Sequence, residues 1–244
     1  MKVLFEDKFI IVAEKPADVL SEPSAEGKDI VTMAEEHVHK PCYLVHRLDR
    51  NTGGAMVLSK MQKATGKLSE AIQRREFEKE YIAVIKGVPE EPEGVYKDLL
   101  FKDSQKNKTF VVKRERRGVK EASLEYKVLS TAEHPEHGTV SLVRIKLHTG
   151  RTHQIRVQFA SRKMPLLGDG KYGSRDNHCE TALWSFRLAF AHPITGEAVE
   201  VKSLPPKEYP WNLFDLDALL QLSGDQPSRK GRWHGGCFKL KVES

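Results

Sequence analysis

One short run concentrates the chemistry available to this chain. His46-Arg47-Leu48-Asp49-Arg50-Asn51-Thr52-Gly53-Gly54 sets a single carboxylate between two guanidinium groups, just ahead of a glycine pair. Cations that close favour the ionised form of a carboxyl even where it is partly buried. That is the state required of a nucleophile, or of a stabiliser of positive charge, working against a polyanion. The plainer alternative is an Asp that holds a turn through its own backbone, common beside glycine. Arg47 precedes Asp49 by two residues, so in extended backbone the two side chains share a side. Two later runs carry reactive or basic types, Lys79-Glu80-Tyr81 and Gly150-Arg151-Thr152-His153-Gln154-Ile155-Arg156.

The elements that must position these runs are legible from periodicity. Val3 to Glu14 reads as two short strands around an Asp-Lys turn, with Phe9-Ile10-Ile11-Val12-Ala13 as a buried run that Lys15-Pro16 stops. Asp29 to His39 is a helix candidate, with Ile30, Val31, Met33, Ala34 and Val38 on one face. The Asp49 run follows as a loop, then Ala55 to Leu58 as a strand. Lys60 to Phe77 has helical spacing (Ala64, Leu68, Ala71, Ile72), with Arg74 and Arg75 placed to suit its last turn. Tyr81 to Ile85 is a strand ending at Gly87; Ala122 to Leu129 and Val140 to Leu147 alternate as antiparallel strands, and Leu183 to Ala191 and Ala198 to Val201 read as a final pair of strands. Thr152 to Lys163 returns to helical spacing, with Arg156 near its second turn. The sum is an α+β chain on a mixed, mostly antiparallel sheet with flanking helices.

Composition narrows the partners. Of 244 residues, 39% are hydrophobic and 30% charged, which fits a soluble globular chain rather than disorder. The formal net charge of +6 favours a polyanionic partner. It is unevenly spread: between Lys102 and Lys120 stand eight basic and two acidic residues, an excess as large as that of the whole chain. Phe110-Val111-Val112 lies inside this stretch, so it reads as a strand or hairpin with basic flanks, and Lys113, Arg114, Arg116 and Arg117 are candidate phosphate contacts. The competing reading is a solvated hairpin. Cys42, Cys179 and Cys237 are too few and scattered for a disulfide framework or a zinc site, which suits the cytoplasm. No stretch approaches the roughly 20 apolar residues that span a bilayer. The acidic start of the chain is unlike a signal peptide.

The three runs, in this order, strongly resemble the pseudouridine synthases, and among them the ribosomal large-subunit synthase A family, over about Val3 to Trp211. The resemblance implies the fold of that family, a long bent sheet with a catalytic cleft across its middle, and the isomerisation of uridine within structured RNA (ribosomal or transfer RNA). No metal and no cofactor is required for that chemistry. The N1–C1′ bond breaks, the uracil rotates and rejoins through C5, and a proton leaves. Asp49 is then the nucleophile or charge stabiliser at C1′, a role carboxylates play in glycosidases. Arg156 resembles the basic partner of that Asp, and Tyr81 the active-site tyrosine, which can stack on the extruded uracil. Its hydroxyl can relay a proton if its pKa is lowered. Arg47 matches the Arg that wedges into the RNA where the base leaves, since flipping costs a few kcal/mol of stacking. His46, Arg50 and His153 are read as supporting residues of the substrate site, His153 through a hydrogen bond rather than as the base.

The chain departs from the family at Gly53, where Ser is usual after Thr52, and at Asn51, which replaces a common Asp. Gly168-Asp169 and Tyr172-Gly173 match the family pattern, as does His192 to Glu197, read as a structural turn. The catalytic domain is expected over residues 1–214, without the N-terminal RNA-binding module of some relatives. A basic tail at 215–244, containing Arg229-Lys230-Gly231-Arg232-Trp233-His234, is read as disordered or as an RNA-contacting extension. A monomer is expected, since no surplus apolar helix is evident. The leading alternative is a non-catalytic RNA-binding or ribosome-assembly protein on the same fold; Asp49, Tyr81 and Arg156 together argue against it, because a binder has no use for the set. A base-removing glycosylase or a nuclease is the third reading.

Overall fold

The computed structural model describes residues 1–221. Its first strands, β1 (Lys2–Glu6) and β2 (Ile10–Lys15), form a hairpin that Asp7 closes by accepting the Phe9 and Ile10 amides at 2.7 and 2.8 Å. Ile10 to Ala13 are fully buried, as an apolar run without alternation requires, and the sheet is covered on both faces here. On one face lies α1 (Ile30–Val38), whose Ile30, Val31 and Ala34 meet Ile11, Ala13, Met56 and Leu58. Asp29 caps it, accepting the Thr32 amide at 2.8 Å. On the other face α2 (Gln62–Gln73) sets Ala64 and Leu68 against Ile10, Val12, Ala55 and Val57. The remaining early elements are β3 (Tyr43–Leu44) and β4 (Gly53–Ser59), separated by the Asp49 loop.

Then follow β5 (Glu78–Lys86), β6 (Glu93–Asp103), β7 (Lys108–Val112), β8 (Val119–His134), β9 (Gly138–Leu147), α3 (Gln154–Ala160), β10 (Leu183–Ala191), β11 (Ala198–Lys202) and α4 (Leu216–Gln221). The strands make one sheet in the order β1-β2-β4-β10-β5-β9-β8-β6-β7, with β3 also on β4 and β11 also on β10. Among the described residues one pairing is parallel, β4 with β10, where Gly53 and Gly54 lie opposite Trp184 and Ser185. The strands that carry or follow the chemical runs, β4 and β5, flank β10 in the middle of the sheet. This is an α+β fold on a mixed, mostly antiparallel sheet.

Several boundaries differ from the expectation, each for a visible reason. Helix α2 stops at Gln73 because the chain turns sharply into β5: Arg75 takes φ 61°, and Phe77 stacks on Phe190 at 4.7 Å. Arg74 and Arg75 therefore lie beyond the last turn. Helix α3 begins two residues late, since His153 is left-handed (φ 53°) and Gln154 ties the preceding loop, accepting the Arg151 amide and donating to the Ser123 carbonyl. Arg156 thus sits in the first turn, not the second. Strand β6 was not expected, because its apolar residues are adjacent and do not alternate; it pairs with β8 on one side and β7 on the other and sets Leu100 among Ala122, Val157 and Tyr172. Beyond residue 214, α4 buries Leu216 and Leu220 among Trp211, Phe214 and Phe186. The rest of the expected tail, with Arg229 to His234, lies outside the described residues.

Candidate active site

The Asp49 loop is held from below by the segment after β2. Lys15, fully buried, donates to the carbonyls of Val19 (2.6 Å), Pro16 (2.9 Å) and Arg50 (3.0 Å). Burial pulls its pKa down to about 8, while Asp49 and Asp18 pull the other way, so it is a cation at neutral pH. The Ser21 hydroxyl clamps Leu48 twice, donating to its carbonyl at 2.7 Å and accepting its amide at 3.0 Å. Arg50 pairs with Asp18 at 2.7 Å, and Arg47, exposed on the rim, with Glu22 at 2.8 Å. Asn51 donates to Glu180. The loop closes with the Thr52 amide on the Asp49 carbonyl at 3.0 Å.

The glycine pair is needed because β10 comes so close. A Cβ on Gly54 (φ +112°) would stand 2.4 Å from the Ser185 carbonyl oxygen. A Cβ on Gly53 would stand 2.2 Å from the ring of Trp184. The departure from Ser at this position therefore has a physical partner: Trp184 fills the volume a side chain would take, with its indole N–H held by Ser203 at 3.1 Å.

Arg156 organises the centre of the site. Its Nε and Nη2 donate to the two oxygens of Asp169, both at 2.7 Å, and its Nη1 donates to Asp49 Oδ2 at 2.9 Å. Burial works against the Arg156 charge, but Asp169 and Asp49 more than offset it and hold its pKa above the ordinary value. One planar fork therefore fixes the position of the Asp49 carboxylate. Asp49 remains 27% exposed to the cleft, and among the described residues its Oδ1 accepts no hydrogen bond. Asp169 is completely enclosed, at the head of a 3-10 turn (Gly170–Tyr172). The sequence reading missed its role. The signals were an Asp set between two glycines in a turn-rich run and the match of Gly168-Asp169 to the family pattern, neither of which pointed to Arg156. That run, Gly168 to Gly173, has the glycine spacing of a dinucleotide fingerprint, yet it forms a 3-10 turn and not the strand–turn–helix that cradles a pyrophosphate.

Tyr81 rises from β5 into the same cleft, which measures about 1240 Å³. Burial, and then the charge of Asp49, pushes its pKa well above the ordinary phenol value. This is the opposite of the lowering a phenolate base needs, so the hydroxyl is a proton donor at neutral pH. His153 Nδ1 lies 2.9 Å from the Tyr172 hydroxyl, and its Nε2 lies 3.8 Å from Asp49. Burial depresses its pKa, against the pull of Asp49, and Arg156 depresses it further. His46 is buried beneath the loop, where its Nε2 accepts the Val57 amide at 3.3 Å and burial keeps it neutral.

Asp49, Tyr81, Arg156, His153, His46, Arg47 and Arg50 all line the one cleft. Lys113, Arg114, Arg116 and Arg117 do not. They are exposed in the turn between β7 and β8, with Arg116 over the Phe101 ring at 4.3 Å. The other end of the basic segment does reach the cleft, through Lys102 and Asn107. The five residues of β7 separate the two ends by about 16 Å. Among the described residues no group of His, Cys, Asp and Glu is arranged to hold a metal ion.

Comparison with known proteins identifies the family. The sequence model of the family described as RNA pseudouridylate synthase matches residues 9–161. An uncharacterised RNA pseudouridine synthase of Aquifex aeolicus is 34% identical over 220 residues, 81% of this chain and 67% of that one. Ribosomal large subunit pseudouridine synthase D of Haemophilus influenzae is 31% identical over 231 residues, 86% of this chain and 68% of that one. Among solved structures, human RNA Pseudouridylate Synthase Domain Containing 1 superposes with a TM-score of 0.74 at 22% identity, covering 93% of this chain and 96% of that one. That last likeness concerns the fold alone.

Proposed function

The chain belongs to the RNA pseudouridylate synthase family and isomerises uridine within RNA to pseudouridine, and we propose that it does so on large-subunit ribosomal RNA with Asp49 as the nucleophile. The observation that carries the assignment of Asp49 is its Oδ2 bond to Arg156, which leaves Oδ1 facing the cleft. The target uridine leaves its helix, with Arg47 entering the space behind it, and its uracil lies on the Tyr81 ring. Asp49 acts at C1′ as the N1–C1′ bond breaks. The detached uracil turns, C5 bonds to C1′ as the Asp49 carboxylate leaves it, the C5 proton passes to solvent, and N1 takes up a proton, so the product is an isomer of the substrate. Tyr81, held protonated, hydrogen-bonds the base while it is free; Arg156 keeps the carboxylate in place throughout.

Two things support ribosomal RNA: the A-type resemblance of the three chemical runs, and relatives whose names specify the large ribosomal subunit. Lys113, Arg114, Arg116 and Arg117 are read as phosphate contacts outside the cleft, with His46, Arg50 and His153 supporting the site within it. We further read the enzyme as a cytoplasmic monomer; among the described residues no helix is long and apolar enough to cross a membrane.

The test is tritium release from RNA labelled at uridine C5, using ribosomal and transfer RNA from cells lacking the protein. Release from ribosomal RNA by the wild type and none by Asp49→Asn is the expected result. Preferential release from transfer RNA would overturn the substrate, and undiminished release by Asp49→Asn would overturn the nucleophile.

A further inference from the structure

Among the described residues one half-buried cation of the cleft has no counter-charge, whereas the other unpaired cations there, Arg75, Lys102 and Arg151, are exposed. Lys79 lies on β5 two residues before Tyr81, on the same side of the strand, and lines the cleft with Tyr81, Phe77 and His46. Its ammonium stands 5.4 Å from the Phe77 ring centroid. Among the described residues it has neither a hydrogen-bond acceptor nor a carboxylate within ion-pair range. The carboxylates next to it in sequence are committed elsewhere, Glu78 to Lys146 (3.2 Å) and Arg187 (2.9 Å), Glu80 to Arg144 (2.6 Å) and Arg187 (2.8 Å). Arg47, Arg50 and Arg156 in the same cleft all have carboxylate partners.

A half-buried ammonium without a partner is costly, and an anion bound in the cleft would offset that cost. Burial alone pulls the Lys79 pKa down to about 8, with no nearby carboxylate opposing. It is still a cation at neutral pH. His46, its nearest titratable neighbour, is kept neutral by burial and by the Lys79 charge, so the two do not compete. What is missing is an anion, and a neutral uracil carbonyl does not supply one.

We propose that Lys79 is the binding residue for a backbone phosphate of the RNA directly flanking the target uridine. The proposal rests on the assignment of the uridine to Tyr81 and Asp49. Two residues of strand advance about 7 Å, so a nucleotide whose base covers Tyr81 brings a phosphodiester within reach of a lysine one step along the same face. The contact selects an internal, phosphate-flanked uridine over a free nucleoside. It also engages as the base is extruded, since the ammonium lies inside the cleft and not on its rim.

The experiment compares wild type, Lys79→Met and Lys79→Arg for binding to an unmodified large-subunit ribosomal RNA transcript between 50 and 200 mM KCl, with melting temperature and C5 tritium release measured alongside. Lys79→Met is expected to melt at or above the wild-type temperature, because an unpaired half-buried charge has been removed. Its plot of log K against log salt should be shallower by about 0.7, one phosphate on a single strand. Its KM should rise about tenfold, and Lys79→Arg should restore most of the slope. An unchanged slope in Lys79→Met overturns the proposal. So does a lowered melting temperature combined with a slope that Lys79→Arg fails to restore, since that pattern marks a structural lysine. The slope reads binding alone, so it tests the phosphate contact independently of chemistry; absence of tritium release by the wild type would overturn the substrate assignment instead.

Discussion

Asp169 touches no part of the cleft, yet its replacement by Asn should damage both stability and catalysis. Its carboxylate is fully enclosed and takes two of the three donors that Arg156 directs at carboxylates, both at 2.7 Å. Removing one member of a buried pair costs about 3–5 kcal/mol. The Asn amide keeps the volume and one acceptor, and Asp49 still faces Arg156, so the cost should fall near the lower figure. At about 2–4 °C per kcal/mol for a chain of this size, the melting temperature should drop by about 6–12 °C. The amide NH2 also meets guanidinium N–H groups, so Arg156 turns and Nη1 leaves its 2.9 Å bond to Asp49. With the Asp49 carboxylate no longer fixed, kcat should fall at least tenfold, about 1.4 kcal/mol. KM should change little, because Asp169 is out of reach of the RNA. The assay is thermal unfolding by circular dichroism, then tritium release at a temperature where the variant is folded. Arg156→Lys is the companion, since it keeps the charge and loses the fork. A melting temperature within 2 °C of wild type, with unchanged kcat, would refute the claim that this pair positions Asp49.

Further outcomes follow from the same geometry. Gly53→Ser alone should cost about 1–3 kcal/mol by overpacking against Trp184. Paired with Trp184→Leu it should lose less than the sum of the two single changes, as a urea-denaturation double-mutant cycle would reveal; simple additivity would separate the two residues. Tyr81→Phe should lower kcat while leaving KM within about threefold, because the stacking ring remains; an unchanged kcat would deny the hydroxyl any part. His46 is buried neutral, so as pH falls below about 6.5 the unfolded chain takes up its proton first and stability drops by about 1.4 kcal/mol per pH unit from this residue. Unfolding measured from pH 7 to 5 should show a shallower loss in His46→Gln, and parallel curves would contradict this. Replacing Lys113, Arg114, Arg116 and Arg117 with Gln should flatten the salt dependence of RNA binding by up to about 3 while sparing kcat. An unaltered slope would leave those four as solvated surface.

The elements with a strong pattern were legible before any coordinates. The all-apolar Ile10–Ala13 announced a buried strand, and Leu183–Ala191 has the boundaries that its largely apolar run indicates. Strand β6 was hidden because its apolar residues stand adjacent (Val95-Tyr96, Leu99-Leu100-Phe101) and do not alternate, although Leu100 is buried and Tyr96 packs on the core. The site divides in the same way. The Asp49 run, Tyr81 and Arg156 stood out as residue types in an informative order. The roles of Lys15, Ser21 and Asp169 did not, because each acts on a segment away from it in the chain, and a lone Lys, Ser or Asp carries no sign of its partner.

The resemblance carried by three local runs pointed to the family and the kind of chemistry, and periodicity to the fold class, since each is written in local stretches of residues. Only the tertiary structure decided how the charges are paired. It bound Arg156 to two carboxylates that lie 107 and 13 residues away in the chain, and it put Trp184 in the volume left by Gly53. It moved Lys113 to Arg117 away from the cleft and left Lys79 half-buried without a counter-ion. The physical reason is that burial and partner choice depend on which strands become neighbours. Here β4, β10 and β5 stand side by side although their sequence order is β4, β5, β10.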